Sequence, residues 1–111
     1  MDILNFDLRL DALRSTAEFF GFSNRVSLLN YLEGAYCLEK NENDYVVYMA
    51  KNGQRVDKKR FILFDSAVKY LINKIILNKN YAQLVYGDYK LVYNQLKKDA
   101  RQPKRTNNIN Q

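Results

Sequence analysis

Apolar residues near the start of the chain recur at helical spacing, in alternating steps of four and three residues. They are Phe6, Leu10, Leu13, Ala17 and Phe20. Because an α-helix turns once every 3.6 residues or so, these positions share one face, and the pattern predicts a core-facing helix over about Asn5 to Phe20. Gly21 follows where a left-handed C-terminal cap is expected, and Phe22 can fold back on the helix end.

A second, shorter helix is predicted from Arg25 to Glu33. Its apolar side would consist of Leu28, Leu29 and Leu32. Ser23 or Asn24 can accept a hydrogen bond from a free amide at its start, and Gly34 is a typical end.

The pattern then changes to one that is typical of β-strands. Ala35 to Glu39 predicts a first strand, and the polar cluster at 41–44 predicts a turn. Tyr45 to Ala50 is rich in strand-forming residues and predicts a second strand. The dipeptide Asn52-Gly53 is a strong signal for a tight hairpin, because both central residues of a type I′ turn have positive φ.

A third strand should return through Gln54 to about Leu63. Its middle, Asp57 to Arg60, is highly charged, which suits an edge strand that must resist further pairing. Together the three strands would form a three-stranded antiparallel meander.

Two helices are predicted after the sheet. The first could be capped by Asp65 or Ser66 and would run to Leu77. The second, about Tyr81 to Lys98, is predicted to break or kink near Gly87. Its inward-facing residues would be Leu84, Leu91 and Val92. A different face carries Tyr86, Tyr89, Lys90, Tyr93 and Lys97, again three and four residues apart.

The whole chain is therefore expected to be a single α+β domain over residues 1–98, followed by a basic flexible tail at 99–111. N-terminal helices would precede the meander, and the later helices would pack on one of its faces, because an isolated meander cannot bury its apolar side. A length of 111 residues fits one domain.

Composition narrows the chemistry. The chain has no His and a single Cys, so it lacks the usual nucleophile–base pairs, a common zinc site and an internal disulfide. Cys37 is expected to be a small buried residue, and the carboxylates of Glu39, Glu42 and Asp44 should be solvated around a turn. We therefore expect a protein that is not an enzyme and needs no cofactor or metal.

Charge and targeting signals bear on location and partners. The net charge is +6, and residues 65–111 hold nine basic against three acidic groups. The chain shows no signal-peptide pattern and no apolar run of membrane length, so we expect a cytoplasmic protein without a membrane partner. The basic tail could add weak, salt-sensitive attraction to nucleic acid or to an acidic protein.

The tyrosine- and lysine-rich face of the last helix allows three interpretations. Its rings could cover the core, contact a partner protein, or stack on bases while lysine meets phosphate. The residues in question are Tyr86, Tyr89, Lys90 and Tyr93.

The middle of the chain resembles a family of small bacterial immunity proteins that are encoded beside polymorphic toxins. The resemblance rests on Ala35-Tyr36-Cys37-Leu38-Glu39-Lys40, Tyr45-Val46-Val47-Tyr48, Gly53, Phe61, Ala67 and Tyr70-Leu71. The step of six from Phe61 to Ala67 matches the family pattern. The chain departs from it at Tyr45, where the family often has Trp, at Lys51-Asn52, which replaces Glu-Arg, and at Val68, where Cys is common.

The resemblance implies a cytoplasmic protein that binds and neutralises one cognate toxin. Within that hypothesis the candidate contacts are the hairpin residues Lys51, Asn52, Gln54 and Arg55, together with the helical residues Tyr86, Tyr89, Lys90 and Tyr93. The alternative is a small nucleic-acid-binding accessory protein that uses the same helical face and the basic tail. The sequence leaves open the identity of the toxin, the stoichiometry and the oligomeric state.

Overall fold

The chain folds as an α+β domain in a computed structural model that describes residues 3–101, with side chains from residue 5 onward. In chain order, the elements are α1 (Ile3–Phe19), β1 (Val26–Leu28), β2 (Tyr36–Lys40), β3 (Tyr45–Lys51), β4 (Gln54–Phe61), α2 (Phe64–Ile75) and α3 (Lys79–Arg101). Within these residues, no helix combines the length and the apolar character needed to cross a membrane.

The first helix and its cap match the sequence prediction. Gly21 adopts φ +80°, in the left-handed region. The amide of Phe22 donates a 2.8 Å hydrogen bond to the carbonyl of Ala17, and the ring of Phe22 is buried. This arrangement satisfies a carbonyl at the helix end and turns the chain toward the sheet.

The predicted helix at Arg25 to Glu33 is wrong. A short 3₁₀ turn at Ser23–Arg25 leads directly into β1, and the chain then forms a loop in which Leu29 has φ +71°. A helix this short is marginal on its own, whereas the free edge of β2 offers backbone partners. The amide of Leu29, for example, donates a 2.8 Å hydrogen bond to the carbonyl of Leu38.

The strands form one mixed four-stranded sheet in the order β1–β2–β3–β4. β2, β3 and β4 are antiparallel neighbours, whereas β1 runs parallel to β2, with Val26 opposite Tyr36 and Leu28 opposite Leu38. The prediction of a three-stranded antiparallel meander therefore lacked β1, which adds a parallel fourth strand to the sheet. β4 is an edge strand, as its charged middle predicts.

The turn between β3 and β4 has the predicted geometry, with φ +55° at Asn52 and +76° at Gly53. Further along, the register shifts between Val47 and Met49, where β4 carries an extra residue. Asp57 lies in this bulge with φ +56°. A bulge of this kind bends the edge strand and makes it a poorer template for pairing.

Helix α2 begins without the predicted side-chain cap. Leu63 is its N-cap residue, and neither Asp65 nor Ser66 accepts a capping hydrogen bond there. The carboxylate of Asp65 is directed instead toward α1 and α3, as described below.

Helix α3 is continuous through Gly87, so the predicted break is wrong. One glycine costs a helix about 1 kcal/mol, and the buried side chains of Val85 and Tyr89 hold this helix against the core. Leu84 and Leu91, predicted to face inward, are 60% and 69% exposed. The buried positions are Ala82, Val85, Tyr89 and Tyr93.

The first residues of the predicted tail are helical. Helix α3 extends to Arg101 and therefore includes residues 99–101. Residues 102–111, the rest of the predicted tail, lie outside the described residues.

The core has two parts, one on each face of the sheet. The larger combines residues of α1, α2 and α3 with Val26, Leu38, Tyr45 and Val47 of the sheet. The smaller lies on the opposite face, which we call the outer face; it consists of Cys37, Val46, Tyr48 and Ala50, with Tyr31 packed against it. Cys37 is buried, as predicted.

Candidate protein-binding surface

A carboxylate from the loop before β2 holds the β3–β4 turn in place. Glu33 accepts hydrogen bonds from the backbone amides of Asn52, at 2.5 Å, and Gly53, at 3.0 Å. The hydroxyl of Tyr31 donates a further bond of 2.7 Å to the same carboxylate. The amide of Gly53, then Tyr31 and the amide of Asn52, hold the pKa of Glu33 below its usual value. The turn is thus pinned to a second segment of the chain.

Beside the turn, Arg55 is fixed on the outer face of the sheet. Its guanidinium lies 3.3 Å from a carboxylate oxygen of Glu39 and over the rings of Tyr31 and Tyr48, at 5.4 and 5.2 Å from their centres. Tyr48 also donates its hydroxyl proton to Glu39. Burial, and then this hydrogen bond, raises the pKa of Tyr48. The start of β4, beside the turn, is therefore ordered by ionic and aromatic contacts.

All four predicted hairpin contacts are exposed, and the side chains of two of them have no partner among the described residues. Over the described residues 3–101, the side chains of Lys51 and Gln54 make no hydrogen bond or ion pair; the two residues meet only through the β3–β4 backbone ladder. The same lack of side-chain partners within this range holds for Lys58 and Lys59 further along β4, whereas Arg60 pairs with Asp44 at 3.2 Å. β4 therefore presents free cationic groups at the sheet edge.

Exposed apolar residues follow directly after β4. Ile62 and Leu63 are 76% and 65% exposed, and they line a cleft of about 380 Å³ together with Phe6, Arg9 and Tyr45. Large apolar side chains at such exposure are the usual anchors of a protein interface. They were not among the predicted contacts, because Ile62 and Leu63 fall at the end of the predicted third strand, in an apolar run that continues to Phe64.

We call the exposed side chains along this strand and at its two ends the β4 surface. They are Lys51, Asn52, Gln54, Arg55, Lys58, Lys59, Ile62 and Leu63. The eight residues of β4 alone extend over about 26 Å, close to the width of a patch of about 800 Å² such as one partner contributes to a standard interface.

The predicted helical contacts are a different case. Tyr89 is fully buried and Tyr93 is 3% exposed, while Tyr86 and Lys90 are half-buried. Of the three interpretations of this face, the structure agrees with the one in which the rings cover the core. Tyr89 and Tyr93 are therefore corrected from candidate partner contacts to core residues.

Asp65 explains why these tyrosines face inward. Its carboxylate accepts hydrogen bonds from the hydroxyl of Tyr89 at 2.7 Å, from the ammonium group of Lys90 at 2.9 Å and from Nε of Arg9 at 3.1 Å. The guanidinium of Arg9 also lies 4.3 Å from the ring centre of Tyr93. One carboxylate at the start of α2 thus joins α1 and α3.

The electrostatics of this cluster are those of a structural contact. Burial alone would raise the pKa of Asp65, but the hydrogen bonds from Tyr89 and Lys90 and the nearby cations outweigh it and lower the pKa. Burial, and then the bond to Asp65, raises the pKa of Tyr89. Over residues 3–101, no group of three or more His, Cys, Asp or Glu side chains is arranged to hold a metal ion.

The residues that carry the family resemblance lie together in the fold. They lie at β2 and the residue before it, in the first part of β3, at the hairpin glycine, at the end of β4 and in α2, and most of them are buried. The resemblance therefore concerns mainly residues that pack the sheet against α2. The β4 surface lies at the exposed edge of the same sheet. Comparison of the chain with protein-family models, with curated proteins and with solved structures finds no match.

Proposed function

We propose that this chain is an immunity protein that binds and neutralises a cognate bacterial toxin through the β4 surface. The observation that carries the proposal is the pinned hairpin, in which Glu33 holds the amides of Asn52 and Gly53. A surface that is already ordered loses little conformational entropy on binding, so more of its contact energy remains as affinity. The family resemblance of residues 35–72 supports the same assignment.

The β4 surface combines the two features that a specific interface needs. Ile62 and Leu63 are apolar anchors that a partner can bury. Lys51, Lys58 and Lys59 are exposed cations that can steer an acidic partner and fix its orientation. We therefore infer that the toxin presents an acidic surface with an apolar pocket.

In this proposal the protein acts in the cytoplasm, by binding alone and without a cofactor. Neutralisation follows when the bound chain covers the toxin's active site or prevents a movement that the toxin needs. No bond is made or broken by side chains of this chain.

The test is co-expression with the product of the neighbouring upstream gene. We expect rescue of cells that express the toxin and a one-to-one complex that survives purification. If co-expression gave no rescue and no complex, the proposal would be overturned.

Variants of the complex then locate the interface. Lys51→Glu combined with Lys58→Glu, and separately Ile62→Ser, should each weaken binding by about tenfold or more. The matched controls are Lys79→Glu, an exposed cation at the start of α3, and Leu77→Ser, an exposed leucine away from β4. If the controls weaken binding as much as the β4 variants, the interface lies elsewhere.

The row of cations on β4 also favours a second candidate, binding to RNA or DNA. This candidate no longer depends on the helical face, because Tyr89 and Tyr93 are buried. It predicts an affinity for a single-stranded oligonucleotide that falls steeply with salt, with a slope of about −0.7 for each phosphate contacted. Binding that is unchanged in the variant with Lys51→Glu and Lys58→Glu would exclude β4 as the site.

A further inference from the structure

The seam between α1 and α3 carries an apolar groove that the proposed function does not use. Its lining residues are Phe19, Phe20, Gln83, Leu84, Gly87, Asp88 and Leu91. Phe19, Leu84 and Leu91 are 78%, 60% and 69% exposed, which is unusual for three large apolar side chains gathered at one place. A groove walled by two helices and open to solvent has the form that accepts a third helix.

Gly87 lies between the two leucines of this groove. It is exposed in the interior of a 23-residue helix, and a Cβ atom added there would meet nothing within 4 Å. Neither its backbone conformation nor the atoms around it in the fold require glycine. Glycine nevertheless weakens a helix interior relative to alanine. A floor without a side chain allows another backbone to approach closely.

The groove also has a charge that selects its occupant. Asp88 lines it and is half-exposed, and its carboxylate makes no ion pair or hydrogen bond within the described part of the chain. A lysine or arginine on the docked segment would pair with this carboxylate.

Two other occupants fit less well. A second copy docked about a twofold axis at Gly87 would bring two Asp88 carboxylates toward each other, which is repulsive. The chain's own residues 102–111 include Ile109 and Pro103 as their only apolar side chains, too few to cover Phe19, Leu84 and Leu91.

We propose that this groove binds an amphipathic α-helix of another protein, with leucine-like side chains on either side of Gly87 and a basic residue against Asp88. The inference is independent of the toxin-neutralising proposal, because the groove and the β4 surface are built from different elements. Loss of groove binding would leave neutralisation intact, and loss of neutralisation would leave groove binding intact.

The probe is a fluorescent synthetic peptide of about 20 residues, with Leu at the a and d heptad positions, one Lys at a central g position and Gln at the other e and g positions. A second peptide has Glu in place of this one Lys, so that the net charges of the peptides differ little beside the +6 of the chain. We expect the Lys peptide to bind the full chain about fivefold more tightly than the Glu peptide, measured by anisotropy. Asp88→Asn should reduce this preference.

Changes to the groove itself give the decisive comparison. Leu84→Ser combined with Leu91→Ser should weaken binding of the Lys peptide by about tenfold or more, whereas Leu77→Ser, outside the groove, should leave it unchanged. Gly87→Ala should raise the Tm of the free chain by about 2–6 °C and still weaken peptide binding, because its methyl group occupies the floor. A stability effect alone cannot produce that combination.

Three results would overturn the proposal. One is equal binding of both peptides to the wild-type chain. Another is binding that survives the changes at Leu84 and Leu91. The third is self-association of the free chain in analytical ultracentrifugation that these same changes abolish, since the groove would then be a contact between two copies.

Discussion

The hydroxyl of Tyr89 donates a 2.7 Å hydrogen bond to Oδ1 of Asp65, and this bond joins the middle of α3 to the first turn of α2. Tyr89 is fully buried, so the bond gives its hydroxyl a partner where water cannot reach. Arg9 and Lys90 donate to the same carboxylate, which makes Asp65 the point where α1, α2 and α3 are held together.

Removal of one partner of this bond should show its contribution to stability. Tyr89→Phe keeps the ring but leaves the Asp65 carboxylate with one donor fewer, and it should lower the free energy of unfolding by about 1–2 kcal/mol. Urea denaturation measures the change. The control is Tyr81→Phe at a ring that is 44% exposed, with an expected change within about 0.5 kcal/mol. Equal losses in both variants would contradict the role of the Asp65 contact.

The lowered pKa of Asp65 predicts a pH dependence of stability. A carboxyl group with a lower pKa in the folded than in the unfolded chain stabilises the fold at pH above its ordinary value, which is 3.8. This stabilisation is lost as the pH falls below that value through the folded pKa. The difference in unfolding free energy between the wild type and Asp65→Asn should therefore be constant near neutral pH and shrink in acid. A difference that persists unchanged in acid would contradict the prediction.

Elements with a strong local signal could be predicted from the sequence. The helix ending at Gly21, the turn at Asn52-Gly53 and the edge position of β4 all depend on residues close together in the chain. β1 could not be predicted in this way, because its three residues are a strand only beside β2. The inward face of α3 was also missed, since the burial of Tyr89 depends on Asp65, 24 residues earlier.

The candidate site also has features that could be predicted from the sequence and one that could not. The exposure of Lys51, Gln54 and Arg55 follows from their place around a tight turn. The contact that pins the turn leaves no signal in the local sequence. Glu33 lies 19 and 20 residues before Asn52 and Gly53, whose amides donate to it. Its segment was predicted to be helical, which would have directed the carboxylate elsewhere.

The contact of Glu33 with the turn can be observed directly by NMR. The amide proton shifts of Asn52 and Gly53 should titrate with the Glu33 carboxylate, with a midpoint below the ordinary value of 4.5. Because the pKa is lowered in the fold, the contact is complete above that value and is lost as the pH falls below it. Glu33→Gln should abolish this titration, whereas Glu42→Gln, at an exposed carboxylate in the β2–β3 turn, should not. Amide shifts of Asn52 and Gly53 that are independent of pH in the wild type would show that the turn is not held by Glu33.

The bulge in β4 makes a last prediction, which separates backbone geometry from binding. Asp57 has φ +56°, a conformation that aspartate tolerates and a β-branched residue does not. Asp57→Val should therefore lower the free energy of unfolding by about 1–2 kcal/mol, and Asp57→Gly should leave it unchanged or slightly higher. The matched control is Lys58→Val, at an exposed neighbour with ordinary φ, where we expect a change within about 0.5 kcal/mol by urea denaturation. If valine were tolerated equally at both positions, β4 would not have this bulge, and the positions of Lys58 and Lys59 on the β4 surface would change with it.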